Sequence, residues 1–305
     1  MVPFVGGRVR RGDGDETMTY VIAGVSGHTG RVAAQTLLDA GERVRVVVRD
    51  AAKGEAWRAK GAEVAVADLG DATALAAALS GARGAYLLLP PNMSTGDFRA
   101  YQRRTGEAIV EAVRRARTPH VALLSSVGAQ HPSGNGPIAG LHAVERALAA
   151  LEGTRTTAIR AAYFMENLGG SLGMLDQGVI PCFTPTSVAF EMIATRDIGR
   201  VAATALREGA KGSEVIELSA ARTYSMDDAA AALSEITGKA VKAQQFPLDA
   251  MVPTLTGFGF PQDVAELYRE MTEGMLRGHV AFEGGHRRVR GETDLATVLR
   301  GILGR

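Results

Sequence analysis

Short apolar runs alternate along this chain with segments of helical periodicity, and this alternation restricts the fold more than any other feature. The runs are nearly unbroken, which is typical of strands that are covered on both faces in a parallel sheet. They fall at residues 20–23, 44–48, 63–66, 85–89, 120–124 and 156–159. Because helical crossovers between parallel strands cover both faces, the sequence predicts an α/β fold with a Rossmann-type doubly wound parallel sheet.

The second half of the chain has a different pattern, which predicts a smaller lobe beside the sheet. A strand-like stretch at residues 188–193 leads into an amphipathic helix, and another strand is predicted at residues 214–218. Ser225 is followed three residues later by Asp228, which is close to the capping-box pattern at a helix start. The predicted division is a Rossmann domain at residues 18–162 and 186–211, and a C-terminal α+β substrate lobe at residues 163–185 and 212–305.

The first residues differ from the rest, because glycine and charged side chains alternate there without periodicity. Met18 follows at once and precedes the first predicted strand. We therefore expect residues 1–17 to form a disordered tail ahead of a start at Met18.

Composition restricts the partners. The apolar fraction of 46% is enough for a packed core, and 34 basic against 33 acidic side chains give a net charge of +1. A chain without excess positive charge has no global field that would gather nucleic acid. No apolar run is long enough to suggest a membrane span, and Cys182 is the only cysteine. We expect a cytoplasmic protein that binds neither nucleic acid nor membrane, and we expect no metal site because the histidines show no ligand spacing.

The segment Gly24-Val25-Ser26-Gly27-His28-Thr29-Gly30 lies between the first predicted strand and the first predicted helix. At such a turn, glycines are typical of dinucleotide binding. Gly24 would permit the tight turn, Gly27 the approach of a pyrophosphate, and Gly30 the close packing of the helix on the sheet. The helix start would offer unpaired N–H groups to the phosphates. The spacing is G-x-x-G-x-x-G, and a glycine-rich turn without a ligand is the alternative.

The residues after the second predicted strand favour NADP(H) over NAD(H). NAD-binding proteins usually place an acidic residue there for the ribose 2′-hydroxyl, whereas this chain has Arg49 and, four residues later, Lys53. A guanidinium pairs with a 2′-phosphate that a carboxylate would repel. Asp50 is adjacent, so NAD stays open, and Lys53 could equally be a solvated surface charge.

Three further strand ends are candidates for lining the same cleft, because ligands of open α/β sheets lie outside the carboxyl ends of the strands. Asp68 and Leu69 follow the third strand, where a carboxylate can contact the adenine amino group. The alternative role for Asp68 is that of a helix N-cap. Leu89 and Pro90 end the fourth strand and Ser125 ends the fifth, at the predicted nicotinamide end.

The Tyr-x-x-x-Lys pair of tyrosine-dependent dehydrogenases is missing. None of the six tyrosines has a lysine four residues later, and no lysine occurs between Lys60 and Lys211. In that pair the ammonium lowers the phenol pKa so that the tyrosine can move a proton. A tyrosine-dependent dehydrogenase or sugar epimerase is therefore not expected.

The motifs GVSGHTG, RDAAK, ADLGD, IRAAYFMENL, MIATRDIGRVAA and RGETDLATVLR together resemble the NmrA-like branch of atypical short-chain dehydrogenases. The resemblance covers nearly all of the chain from Met18 onward. The branch includes NADPH-dependent quinone oxidoreductases, triphenylmethane reductase, isoflavone-reductase-like enzymes and non-catalytic redox-sensing regulators.

The resemblance implies roles for particular residues. The pyrophosphate would be held by Gly24, Ser26, Gly27, His28, Thr29 and Gly30; the 2′-phosphate by Arg49 and Lys53; the adenine by Asp68 and Leu69; and the nicotinamide by Leu89, Pro90 and Ser125. Tyr163, Phe164 and Asn167 would form the floor between cofactor and substrate. Some members have a lysine shortly before the glutamate that corresponds to Glu145, and here His142 is the nearest ionisable group. The catalytic candidates are therefore His142, Tyr163 and Asn167.

The leading functional hypothesis is a reductase that passes a hydride from NADPH to a flat, conjugated acceptor such as a quinone. Such an acceptor needs little proton assistance, so the missing Tyr/Lys pair is tolerable and positioning supplies most of the catalysis. Tyr163, Phe164, Met165, Phe258 and Phe260 are candidates for stacking on the acceptor. A non-catalytic NADP(H) sensor and a biosynthetic ene- or imine reductase are the alternatives, and a homodimer stays open.

Overall fold

The computed structural model describes residues 18–305, and the predictions for residues 1–17 lie outside it. The strands are β1 (Thr19–Ile22), β2 (Val44–Val48), β3 (Glu63–Val66), β4 (Ala82–Leu88), β5 (His120–Ser126), β6 (Arg155–Ala161), β7 (Tyr163–Phe164), β8 (Val179–Cys182), β9 (Met192–Ile193), β10 (Ser213–Ala220), β11 (Lys242–Gln245) and β12 (Arg287–Gly291).

The α-helices are α1 (His28–Asp39), α2 (Glu55–Arg58), α3 (Ala72–Leu79), α4 (Phe98–Ala116), α5 (Ala139–Ala149), α6 (Thr195–Glu208), α7 (Met226–Thr237), α8 (Met251–Gly257), α9 (Gln262–Leu276) and α10 (Leu295–Leu303). Short 3₁₀ segments lie at Ala51–Gly54, Gly136–Ile138, Met165–Gln177 and Leu248–Ala250. Within residues 18–305, none of the helices combines the length and the apolar character that crossing a bilayer requires.

Eight strands form one large sheet in the order β12-β10-β6-β5-β4-β1-β2-β3. Every neighbouring pair in it is parallel. The chain builds outward from β1 to β2 and β3, and then returns to the other side of β1 with β4. The strand order therefore reverses between β1 and β4, which creates the crevice where such folds bind ligands. The predicted Rossmann-type doubly wound parallel sheet is confirmed.

Helices cover both faces of the sheet, which is why its central strands are mostly apolar. Tyr20 and Ile22 of β1 pack with α1 and α6 on one face. Val21 and Ala23 pack with α3, α4 and α5 on the other. Successive residues of a strand point to opposite faces, so a strand buried on both sides has few positions for polar side chains.

The smaller lobe has a core of its own, made by the 3₁₀ segment at Met165–Gln177, β8, β11, α7 and α10. The capping box predicted at the start of α7 is present, with Asp228 N–H donating to Ser225 Oγ and Ser225 N–H donating to the Asp228 carboxylate. That this lobe binds the substrate stays a prediction.

Two strands from the range assigned to this lobe belong instead to the large sheet. β10 pairs with β6 and β12 pairs with β10, both in parallel. The reason is that α6 is a crossover helix, which returns the chain to the edge of the sheet beside β6. The strand-like stretch at residues 188–193 shortens to β9, preceded by a single bridge between Phe190 and Tyr224.

Close packing of α1 against α6 depends on Gly199. A Cβ added there would lie 2.5 Å from the Thr29 carbonyl oxygen and 2.6 Å from the Val32 Cβ. Such distances leave no room for a methyl group, because neither a backbone carbonyl nor a helix-borne Cβ can move without shifting α1.

We expect Gly199→Ala to lower the free energy of unfolding by about 1–3 kcal/mol, since an inserted methyl group separates α1 from α6. Gly301→Ala is the matched control, because Gly301 lies in α10 with nothing within 4 Å of an added Cβ. The Gly301→Ala substitution should raise the free energy of unfolding by up to about 1 kcal/mol, because alanine has a higher helix propensity than glycine. Urea unfolding, followed by the fluorescence of the single tryptophan, Trp57, measures the free energy of unfolding of both variants. Losses of equal size in the two variants would contradict the packing argument.

Candidate active site

The predicted site residues follow one edge of the sheet in a defined order. The groups along the edge are Asp68 after β3, Arg49 after β2, the glycine loop after β1, Leu89 and Pro90 after β4, Ser125 near the end of β5 and Tyr163 after β6. The carboxyl ends of parallel strands meet at the same edge, so segments far apart in sequence become neighbours. The structure thus brings most of the predicted residues to the same edge of the sheet.

The glycine loop has the geometry that the sequence predicts for it. Gly24 has a φ of +69°, and a Cβ there would lie 2.4 Å from Leu88 Cδ2. A Cβ on Gly30 would lie 2.4 Å from the Ala23 carbonyl oxygen. Gly27 is exposed, and a Cβ on it would meet only the Gly24 carbonyl oxygen, at 3.3 Å. Gly24 and Gly30 therefore fix the turn and the helix, while Gly27 leaves the backbone open to a ligand.

The start of α1 is suited to an anion. Gly27 occupies the N-cap position, no side chain caps the helix, and its first turn holds no acidic residue. The first N–H groups of a helix have no partners within the helix. Ser26, Gly27 and His28 around them are exposed. A diphosphate fits this cradle, because the amides and the helix dipole both favour negative charge.

Thr29 differs from its expected role. Its side chain is buried, and the Tyr86 hydroxyl donates a hydrogen bond of 2.9 Å to Thr29 Oγ1. Burial raises the pKa of Tyr86 well above its usual value, so this hydroxyl stays protonated and remains a donor. The Thr29 side chain therefore joins α1 to β4 in the core.

After β2, the two basic side chains are exposed and the acid is occupied. Within residues 18–305, the side chains of Arg49 and Lys53 have neither a hydrogen bond nor an ion pair. Asp50 Oδ1 instead accepts a hydrogen bond of 3.0 Å from the Ala52 N–H group, at the start of the 3₁₀ segment. Asp50 has a local structural role, which leaves the positive groups to define this end of the crevice.

Asp68 does not cap α3, so the alternative role considered for it is wrong. The N-cap is Asp71, whose side chain accepts hydrogen bonds from Thr73 N and Ala74 N. Asp68 is exposed, and its Oδ1 accepts a hydrogen bond of 2.7 Å from the Gly70 N–H group. Leu69 is half-buried beside it against the core.

Below the crevice, Ser125 belongs to a buried network of charged groups. The Ser125 hydroxyl donates a short hydrogen bond to Glu145 on α5. Glu145 also accepts hydrogen bonds of 3.1 and 2.8 Å from Arg160 on β6. The side chains of Arg160 and Glu145 are only 7% and 10% exposed. The network fixes the position and the donor direction of the Ser125 hydroxyl at the end of β5.

The network continues to the loop before β12. Arg160 Nη1 donates a hydrogen bond of 2.7 Å to Glu283, which His286 also contacts at 3.1 Å. The hydrogen bonds from Arg160 and His286 hold the pKa of Glu283 below its usual range. One guanidinium thus joins the sheet, α5 and this loop.

A cavity of about 410 Å³ opens beside the ends of β5 and β6. Its lining is mostly apolar, with Met271 and Met275 of α9 on one wall and Phe190 and Phe282 nearby. Ser126, Val127, Ile138, Tyr163, Ala189, Glu191, Thr223, Gly278, Val280, Ala281 and Arg288 complete it. Its shape and polarity are those of a site for a small, largely apolar molecule.

Tyr163 lines this cavity as a protonated donor. Burial, with a further contribution from Tyr268, raises the pKa of Tyr163 to about 12, and a hydrogen bond with the Asn167 side chain partly offsets this rise. The ring of Phe190 meets the Tyr163 ring edge-on, with 5.5 Å between the centroids. Near neutral pH the hydroxyl therefore keeps its proton and can donate a hydrogen bond to a ligand.

Several other expected residues are not brought to the cavity. His142 lies on α5, and its Nδ1 is 2.9 Å from the Ala129 carbonyl oxygen. Among the described residues, the cavity lining includes neither His142 nor Phe164, Met165, Phe258 or Phe260. Met165 is buried in the core of the smaller lobe and Phe258 is 77% exposed. Their expected places near the acceptor came from the family resemblance for His142 and Phe164 and from residue type for Met165, Phe258 and Phe260, and neither fixes where a loop or helix docks.

Sequence reasoning missed the buried network and the α9 wall. Arg160 is a charged residue within the apolar strand β6, and such a residue needs a buried partner. That signal indicated an ion pair without identifying its partner. Tyr268, Met271 and Met275 are spaced by three and four residues, which places them on one helix face. Nothing in this spacing showed which strand ends the face would meet.

Comparisons with known proteins identify the family of the chain and its structural relatives. The profile of the NmrA-like family matches residues 16–280. Quinone oxidoreductase 2 of Escherichia coli is 28% identical over 263 residues, covering 84% of this chain and 88% of the relative. The NAD(P)H azoreductase of Xenophilus azovorans is 25% identical over 253 residues, covering 82% and 85%. The crystal structure of Citrobacter sp. triphenylmethane reductase complexed with NADP(H) superposes with a TM-score of 0.78 at 21% identity, covering 93% of this chain and 99% of that one.

We expect Arg160→Met to lower the free energy of unfolding by about 3–5 kcal/mol, because Glu145 would remain as a buried carboxylate without its partner. Arg99→Met is the matched control. It removes a pair with Glu270 whose side chains are 43% and 32% exposed, and it should cost less than about 1 kcal/mol. Urea unfolding of both variants measures the difference, and a small loss in each would show that the buried network contributes little.

Proposed function

The chain belongs to the NmrA-like family, and we propose that it is an NADPH-dependent reductase that passes a hydride to a flat conjugated acceptor of the quinone class. One observation carries the proposal. The groups along the sheet edge occur in the order in which a dinucleotide and its acceptor would need them: a basic residue, an amide cradle, a hydroxyl at the fifth strand and then an apolar cavity.

The amide cradle and Arg49 support NADPH as the cofactor. The start of α1 would hold the pyrophosphate, since its N–H groups lack side-chain partners and Gly27 leaves them accessible. Arg49, on the neighbouring strand, is exposed and has a guanidinium able to take the 2′-phosphate in a bidentate pair. Lys53 would add positive charge beside it. Asp50 does not oppose this assignment, because its carboxylate caps the 3₁₀ segment.

When bound, NADPH supplies the hydride, and the residues of this chain orient and shield the acceptor. The Ser125 hydroxyl, fixed by Glu145, lies at the end of β5. The protonated Tyr163 hydroxyl can donate to an acceptor carbonyl, which stabilises negative charge as it develops on that oxygen. Met271 and Met275 exclude water from the ring face. A quinone that accepts a hydride becomes a stabilised phenolate, and water can supply the remaining proton.

The names of the relatives support the reaction class. An enzyme named quinone oxidoreductase 2 and one named NAD(P)H azoreductase each align over more than four-fifths of this chain. Quinones and azo dyes share planarity and conjugation, which suit an apolar cavity of this size. The missing Tyr/Lys pair is compatible with such acceptors, since positioning supplies most of the rate enhancement.

The proposed function predicts that NADPH absorbance will fall when a quinone or an azo dye is added to the protein, and that NADH will be used less well. Gly27→Trp should abolish this oxidation, because the indole would fill the amide cradle. Gly173→Trp is the matched control, since Gly173 is exposed with nothing within 4 Å of an added Cβ. Steady-state rates with quinones, azo dyes, triphenylmethane dyes, enals and cyclic imines measure the outcome.

Tight NADPH binding without oxidation by any acceptor would overturn the enzyme assignment and support a sensor that acts through a partner. NADPH oxidation with enals or imines alone would keep the reductase assignment and rule out quinones as the acceptor class. Equal rates for wild type and Gly27→Trp would show that the glycine loop does not hold the cofactor.

A further inference from the structure

The charged groups of the cavity are confined to one corner. Among the described residues that line it, only Glu191 and Arg288 are of charged types. Arg288 pairs with one carboxylate oxygen of Glu191, and Arg290 pairs with the other at 3.0 Å. Two guanidinium groups thus share the one carboxylate of the described lining. Two further acids nearby lie outside the lining. Glu283 is paired with Arg160, and the buried Glu217, the register partner of Arg288 on β10, accepts a hydrogen bond of 2.7 Å from the Gly284 N–H group.

Arg288 carries the unused hydrogen-bonding capacity of this corner. Arg290 Nη1 donates to Glu191, Ser219 Oγ and the Ala220 carbonyl oxygen, so its position is fixed by the protein. Within the described chain, Arg288 has a single hydrogen bond, from Nη2 to Glu191. A guanidinium has five N–H donors, so most donors of Arg288 remain free for a ligand.

The position of Arg288 is defined although the side chain is 40% exposed. Its guanidinium lies 5.1 Å from the centroid of the Phe282 ring, and Phe282 also lines the cavity. The cation–π contact and the Glu191 pair hold the charged group at the solvent end of the apolar space. A flat ring in the cavity would therefore have the guanidinium at its outer edge.

We propose that Arg288 selects acceptors that carry an anionic substituent, a sulfonate or carboxylate on the conjugated ring. The apolar walls would contact the ring, and the free N–H donors of Arg288 would pair with the oxyanion in the geometry that guanidinium groups favour. This inference rests on the proposed function, because the occupant is the acceptor of the reductase. It adds a substituent class that the amide cradle and the reaction type leave open.

The test measures binding without turnover. Naphthalene-2-sulfonate and the neutral, nearly isosteric naphthalene-2-sulfonamide would be titrated by calorimetry into the protein saturated with NADP⁺, which cannot reduce them. We expect the sulfonate to bind about fivefold more tightly at low salt, and the preference to shrink as salt screens the charge. Arg288→Gln should remove the preference while leaving the affinity for the sulfonamide unchanged.

Arg287→Gln is the matched control. Arg287 is the neighbouring residue of β12, pairs with Glu208 and is absent from the cavity lining. The Arg287→Gln substitution removes the same charge from the opposite face of the strand, so the sulfonate preference should persist. A loss of preference in both variants would show a general effect of net charge and would overturn the proposal.

The outcomes separate this inference from the proposed function. Equal affinity for the two ligands in the wild type, or a preference that survives in Arg288→Gln, would overturn the role of Arg288 while NADPH oxidation by neutral quinones still stood. The same selectivity should appear in turnover, as a KM for 1,4-naphthoquinone-2-sulfonate that rises about fivefold in Arg288→Gln with little change in kcat. A fall in kcat alone would also count against selection by binding.

Discussion

The fit of α1 against the end of β1 is the constraint on which the rest of the site depends. Gly30 lets the first turn of the helix approach the Ala23 carbonyl oxygen, and Gly24 adopts a left-handed conformation that turns the chain into the helix. Because β1 lies where the strand order reverses, this helix start faces the crevice. A bulkier residue at either position would move the N–H groups away from the place where a phosphate can reach them.

Contacts in the core also fix the position of α1. Tyr86 on β4 donates a hydrogen bond to Thr29 in the core, and Gly199 lets α6 pack closely against α1. These contacts use a side chain that the glycine-loop motif alone would assign to a ligand. Rigid support of this kind matters for a binding site, because an amide cradle favours an anion only while its N–H groups keep a common direction.

The arginines near the cavity differ in how completely the protein pairs them. Arg160 pairs with both Glu145 and Glu283, so it positions Ser125 and the loop before β12 and does not line the cavity. Arg288 is different, because its carboxylate partner is shared with Arg290 and most of its donors are free. The edge of the sheet therefore has the basic residues Arg49 and Lys53 after β2, and Arg288 at the cavity.

The sequence predicted best the strands whose residues are mostly apolar. β2 and β3 have the predicted bounds, because continuous apolar strands and glycine punctuation are local signals. β12 was not predicted, since its sequence RRVRG is polar and four of its five residues are partly or fully exposed at the sheet edge. Long-range pairings were also inaccessible: nothing local links Arg160 to Glu283 or places Met271 beside Tyr163. His142 shows the same limit, because its helix was expected but its contact with the Ala129 carbonyl was not.

The central claim is that an anionic nucleotide binds at the start of α1 with its additional phosphate on Arg49. Calorimetric titration with 2′,5′-ADP and 5′-ADP tests it directly, because the two ligands differ only in the 2′-phosphate and neither carries a nicotinamide. We predict that the wild type binds 2′,5′-ADP about tenfold more tightly. Arg49→Gln should lose this difference, whereas Arg103→Gln, an exposed position on α4, should keep it. Equal affinities in the wild type, or no heat with either ligand, would contradict the account.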